Sequence, residues 1–234
     1  MLDLVAFDAD DTLWENERHF RAAEDRFLKL LAPHAPGGDL SARLLAAERR
    51  NLGRYGFGVK AFMLSMVETA LEVTEARVPG AVIAEVLEMG RAMLETPVAL
   101  KGGAAETLRA LHGRVPLALV TKGDLLDQER KIALSGLAPL FDAVEIVSAK
   151  TPETYARLFA ALGVDAARAM MVGDSMRSDV RPAVSLGAWG VHVPAGTAWA
   201  VERAPDPPGS RFVRLARIAD LPHLVGAILS QTLK

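Results

Sequence analysis

Leu2-Asp3-Leu4-Val5-Ala6-Phe7, followed at once by Asp8-Ala9-Asp10-Asp11-Thr12, is an apolar run that ends abruptly in acid. So short a run reads as a strand buried on both faces, the kind found at the centre of a parallel sheet. Residues 116–120, 144–147, 169–172 and 189–193 have the same character. Between the runs, apolar residues recur at helical spacing over 104–111, 127–135, 152–162 and 181–186. Gly136, Gly163 and Gly187 stand where the last three of these helices should close. Strands alternating with helices predict an α/β fold with a doubly wound parallel sheet.

Residues 15–97 break the alternation. Phe20, Ala23, Phe27, Leu30 and Leu31 mark one amphipathic face, and Leu40, Leu44, Leu45 and Ala47 another. Phe62, Met66, Ala70 and Val73, then Val82, Val86, Met89 and Met93, mark two more. A loop of that length is not expected inside a compact domain. The chain therefore reads as a core formed by residues 1–14 and 98–234 with a helical unit, 15–97, inserted after the first strand. Residues 205–209 read as a surface turn, and a strand and helix should close the chain.

Half of the 234 residues are hydrophobic and 24% are charged, with a formal net charge of -2. That balance belongs to a globular protein and offers no electrostatic hold on nucleic acid or an anionic membrane. Cysteine is absent, which excludes disulfides, thiolate metal sites and thiol catalysis. No apolar run reaches the ~20 residues of a membrane span, and residues 1–7 lack the basic start of a signal peptide. A cytoplasmic location is the expectation.

Ligands of open parallel sheets bind beyond the carboxyl ends of the strands. Asp8 and Asp10 follow the first strand, Thr121 and Lys122 the second, Lys150 the third, and Gly173-Asp174 with Asp179 the fourth. Taken singly, each has an ordinary reading. Aspartate favours turns and helix caps, and a lone lysine is usually solvated. Four such clusters on four strands should converge on one pocket. Asp8 and Asp10, two apart in an extended segment, can project to one side, and Asp174 would bring a third carboxylate to them. Like charges about 4 Å apart repel by about 4 kcal/mol at an effective dielectric near 20. A hard divalent cation, magnesium above all, would remove that penalty. Lys150 and the Thr121 hydroxyl could then hold phosphoryl oxygens, and a carboxylate could act as nucleophile.

Asp8-Ala9-Asp10-Asp11-Thr12 resembles the DxDxT signature of the haloacid-dehalogenase-like phosphatases. Thr121, Lys150 and Gly173-Asp174-Ser175-Met176-Arg177-Ser178-Asp179 are similar to the family's other three motifs, in order. The inserted helical unit resembles the family's helical cap. The resemblance implies that Asp8 is nucleophile and metal ligand. Asp10 would be the general acid and then the base, with its backbone carbonyl on the metal. Thr121 and Lys150 would hold the phosphoryl group, and Asp174 would complete the magnesium site. Asp179 would either orient Lys150 or reach a metal-bound water. The substrate would be a small phosphorylated metabolite.

Two positions depart from the family pattern. Lys122 replaces a common asparagine and would either bind phosphate or point to solvent. Thr151 precedes Pro152, where many relatives have proline directly after the lysine. Trp14 could line the substrate side or fill the core, and His192 falls within a strand as a structural residue. The basic, aromatic and glycine-rich segment 49–58 would either select the substrate or form a solvated helix end. Haloacid dehalogenation uses an aspartate nucleophile on the same fold but needs neither a general acid nor a metal, which would leave Asp10 and Asp174 without purpose. A phosphomutase is nearer in chemistry. A non-catalytic regulatory module would have no need of every catalytic group.

Overall fold

The structure is a computed structural model that describes residues 2–196 and 199–231. Its strands are β1 (Leu4–Phe7), β2 (Leu117–Lys122), β3 (Ala143–Val147), β4 (Ala169–Gly173), β5 (Trp189–His192) and β6 (Phe212–Arg214). They form one parallel sheet in the order β3-β2-β1-β4-β5-β6, so β1 is central, paired with β2 through Phe7–Leu119 and with β4 through Phe7–Val172. The chain runs from β1 to an edge and returns to β4 on the other side. The carboxyl ends of β1, β2 and β4 thus flank the crevice that this topology creates.

Alternation along β1 explains the two-sided core. Val5 and Phe7 face a cluster with Leu108, Leu111, Leu117 and Val225, while Leu4 and Ala6 face Tyr155, Phe159 and Met171. Helices cover both faces: α5 (Ala104–Leu111), α6 (Leu125–Ser135), α7 (Pro152–Ala161), α8 (Arg181–Ser185) and α9 (Leu221–Gln231). Local chemistry sets their ends. Asp124 accepts a hydrogen bond from the Asp127 N–H to open α6, and Gly136, left-handed at φ 67°, closes it. Thr151 accepts from the Thr154 N–H to open α7, with Pro152 in its first turn. The departure at Thr151-Pro152 thus serves to start a helix.

By its internal contacts the chain divides into two compact units, Met1–Glu17 with Val98–Lys234, and Arg18–Pro97. Most of the first helix and the next three make up the second unit: α1 (Glu17–Leu31), α2 (Leu40–Tyr55), α3 (Val59–Val73) and α4 (Gly80–Glu95). Phe27, Leu31, Leu44, Met66, Val86 and Met89 form a core separate from that of the sheet. A Cβ on Gly90 would lie 1.6 Å from the Met63 sulfur, so glycine is what lets α4 approach α3 there. The donors of segment 49–58 are engaged within this unit. Arg50 pairs with Glu68 and Glu72 at 3.1 and 2.6 Å, and Asn51 and Tyr55 also donate to Glu68. They tie α2 to α3, so Arg49 and Arg54 are the exposed cations of that segment. Among the described residues, no helix is long and apolar enough to cross a membrane.

Candidate active site

β1 ends at Phe7, and the chain then turns tightly: the N–H groups of Thr12, Leu13 and Trp14 all point at the Ala9 carbonyl. Asp11 sits at φ 62°, a conformation aspartate tolerates better than most residues. Its carboxylate accepts the N–H groups of Asn16 and Glu17, which starts α1. This turn separates Asp8 from Asp10, and the two carboxylates acquire different surroundings.

Asp8 is buried at 6% exposure. One oxygen takes the Lys150 ammonium and the other the Thr12 hydroxyl at 2.9 Å. The Thr12 oxygen in turn accepts the Asp174 N–H at 3.0 Å, so one hydroxyl ties the ends of β1 and β4 together. Lys150 also donates to Asp179 at 2.7 Å, and the other oxygen of Asp179 takes the Ser175 N–H. A Cβ on Gly173 would lie 2.2 Å from that oxygen, so only glycine at the end of β4 admits the Asp179 carboxylate. Of the two roles open to Asp179, it takes the first and holds Lys150.

Carboxylate oxygens of Asp8, Asp174 and Asp179 lie within 4.8 Å of one another. Burial, helped by the charge of Asp179 and opposed by Lys150, pushes the Asp8 carboxyl up to about 7. Burial, then the charges of Asp8 and Asp179, raises Asp174 well above the usual range. Burial alone would lower Lys150, but Asp179 and Asp8 outweigh it and raise the ammonium well above its ordinary value. Three carboxylates around one ammonium leave this pocket short of positive charge. The all-oxygen donor set suits a hard divalent cation. With both Asp179 oxygens engaged, Asp8 and Asp174 are the side chains that fit one.

Asp10 corrects the sequence reading. Its side chain is not in that cluster. Oδ1 accepts from Trp14 Nε1 and Lys131 Nζ, and Oδ2 from Gln128 Nε2 and the same Nζ, all at 2.7–2.9 Å. Burial would raise its carboxyl, but the Lys131 charge and the three donors hold it below the usual range. The alternation rule that joined Asp10 to Asp8 applies within a strand, and the strand has already ended.

The other candidates also take definite places. Thr121 is buried at 1% exposure within β2, which extends through Lys122. Lys122 points neither to solvent nor into the carboxylate cluster, but pairs with Glu202 at 2.5 Å and donates to Ser178. Glu202 also takes the hydroxyls of Ser175 and Ser178. Ser175, not Asp174 or Asp179, caps the turn Met176–Val180. Trp14 is fully buried, a core residue whose ring N–H serves Asp10. His192 accepts the Arg214 Nε–H on Nδ1 and so donates from Nε2 to the Asp174 carbonyl, a structural hydrogen bond.

Sequence reasoning missed Lys131, Gln128, Thr12 and Glu202. Gln128 and Lys131 share one face of α6, a spacing that could have flagged them once α6 was placed beside β1. Nothing local marks Glu202.

A family model described as haloacid dehalogenase-like hydrolase matches residues 2–187. A haloacid dehalogenase-like family hydrolase from Xanthomonas campestris is 41% identical, covers 98% of this chain and 93% of its own, and superposes with a TM-score of 0.88. A 2-haloacid dehalogenase from Pseudomonas syringae pv. tomato DC3000 is 23% identical over 97% of this chain and 100% of its own, with a TM-score of 0.63. A predicted phosphoglycolate phosphatase from Haemophilus somnus 129PT is 18% identical over 96% and 98%, with a TM-score of 0.64. These last two share the fold. No curated protein matches the chain.

Proposed function

This chain belongs to the haloacid dehalogenase-like hydrolases, and within that family we propose that it is a magnesium-dependent phosphatase acting on a small phosphorylated metabolite through an aspartyl phosphate on Asp8. The observation that carries this reading is the gathering of Asp8, Asp174 and Asp179 around the single ammonium of Lys150. A dehalogenase has no use for a cation-hungry cluster, since its leaving halide needs neither a metal nor a proton.

Asp8 and Asp174 would hold magnesium, which supplies Lewis-acid neutralisation of phosphate and carboxylate charge. An Asp8 oxygen attacks phosphorus while the bond to the leaving oxygen breaks. Asp10 gives that oxygen its proton. Asp10 then takes a proton from water, whose oxygen attacks the same phosphorus. The bond to Asp8 breaks, releasing inorganic phosphate and restoring the carboxylate. Lys150, positioned by Asp179, and the Thr121 hydroxyl bind phosphoryl oxygens through both steps. The inserted helical unit, directly after the nucleophile in the chain, would act as the cap that selects the leaving group and excludes water.

The test is a screen of phosphorylated metabolites with magnesium, repeated in EDTA, beside 2-chloropropionate. Hydrolysis of a phosphomonoester that stops in EDTA supports the reading. Undiminished activity in EDTA overturns the metal assignment, and halide release without phosphate release overturns the reaction.

A further inference from the structure

The hydrogen bonds around Asp10 are complete on both sides. A carboxylate offers about four lone-pair sites, and here Trp14, Gln128 and two N–H groups of Lys131 occupy them. The third Lys131 proton reaches Asn16 Oδ1 at 3.3 Å, and Asp127 stands 3.8 Å away on the same helix face. Lys131 is itself buried, at 8% exposure. So costly a burial of an ammonium is compensated by one carboxylate above all.

Resting on the phosphatase reading above, we infer that Lys131 is a positioning residue for Asp10, fixing with Trp14 and Gln128 the rotamer from which that carboxylate serves the leaving group. Asp10 lies beyond the end of β1, where no ladder hydrogen bond restrains its side chain. Trp14 and Gln128 each hold one oxygen. Lys131 alone bridges both, so it sets the tilt of the carboxylate plane. Lys131 does not touch the gathered carboxylates of Asp8, Asp174 and Asp179, so its removal should leave the nucleophile and the cation site in place. Misplacement of an acid that is otherwise intact slows the step that needs a proton and spares the step that does not.

Wild type, Lys131→Met and Lys131→Arg are compared on an aryl and an alkyl phosphate with saturating magnesium, alongside magnesium titration by calorimetry. In Lys131→Met, kcat on the alkyl phosphate should fall at least about tenfold more than kcat on the aryl phosphate, with KM little changed. Lys131→Arg, which keeps a charge and paired donors, should recover part of that loss, and magnesium affinity should match wild type in both. Equal losses on the two substrates, or a change confined to KM, overturn the inference. Weakened magnesium binding in Lys131→Met also overturns it, because the residue would then be scaffold for the whole site. If Lys131→Met does not fold, Gln128→Leu removes one donor of the same cage and should show a smaller loss in the same direction; equal losses there overturn the inference too. Failure of wild type to hydrolyse either phosphate counts against the phosphatase reading itself and removes the inference with it.

Discussion

Lys122 and Glu202 form an ion pair of 2.5 Å across 80 positions of sequence. The pair joins the end of β2 to the turn that carries Asp174 and Asp179, because Glu202 also receives the hydroxyls of Ser175 and Ser178. Burial would raise the Glu202 carboxyl, but Lys122 and the two serines hold it below its ordinary 4.5. A carboxyl depressed by folding contributes stability that is present above its unfolded value and lost as pH falls through its folded value. Glu202→Gln should therefore lose about 1.5–3 kcal/mol at neutral pH, and its Tm should vary less than that of wild type below about pH 4.5. Thermal melts from pH 3 to 7 check this. Parallel curves for the two proteins would remove the pair from the stability account.

Asp8 has the opposite sign. Its carboxyl is raised to about 7 in the fold, so the folded state binds more protons than the unfolded one, and stability falls as pH rises from about 4 to about 7. Magnesium, by binding the ionised form, should offset that loss. The Tm gain on adding magnesium should thus be larger at pH 8 than at pH 6, approaching the equivalent of about 2.7 kcal/mol at a hundred times Kd. Melts with magnesium and with EDTA at both pH values test it. An equal gain at both pH values would separate the cation from Asp8.

Asp8→Asn should abolish turnover and any trapped aspartyl phosphate while matching or exceeding the wild-type Tm at pH 8 in EDTA, since it removes one of three crowded charges. Mass spectrometry of the quenched enzyme and calorimetry read the two effects separately. A phosphorylated Asp8→Asn protein would move the nucleophile elsewhere.

Lys150→Ala should lower kcat by about 100-fold or more, a loss typical of removing one preorganised charge from a phosphoryl-transfer site, and change KM less. Asp179→Asn should follow in the same direction with a smaller effect, because Asp179 acts through Lys150. Steady-state kinetics on one aryl phosphate suffice. A pure KM effect in Lys150→Ala would reduce that lysine to a binding group.

Asp10→Asn should slow hydrolysis of alkyl phosphates more than that of aryl phosphates, whose leaving groups need little protonation. Rates across a leaving-group series give the answer. A flat comparison would remove the acid role from Asp10.

How much of this was legible in the chain follows from range. The buried runs at Leu4–Phe7 and Ala169–Gly173, the helix closing at Gly136 and the four helices of residues 17–95 rest on local composition and periodicity, which act over a few residues whatever the rest of the chain does. Asp8, Lys150 and Asp174 could be placed together because parallel topology carries successive strand ends to one edge. What surrounds them could not. Lys131 meets Asp10 across 121 positions and Lys122 meets Glu202 across 80, and a charge selects its partner by distance in space, which separation in sequence does not encode. The turn at Asp11 sent Asp10 to Lys131 and left its place in the carboxylate cluster to Asp179. The strands and the nucleophile were therefore local decisions, whereas the division of labour among the carboxylates belongs to the tertiary structure.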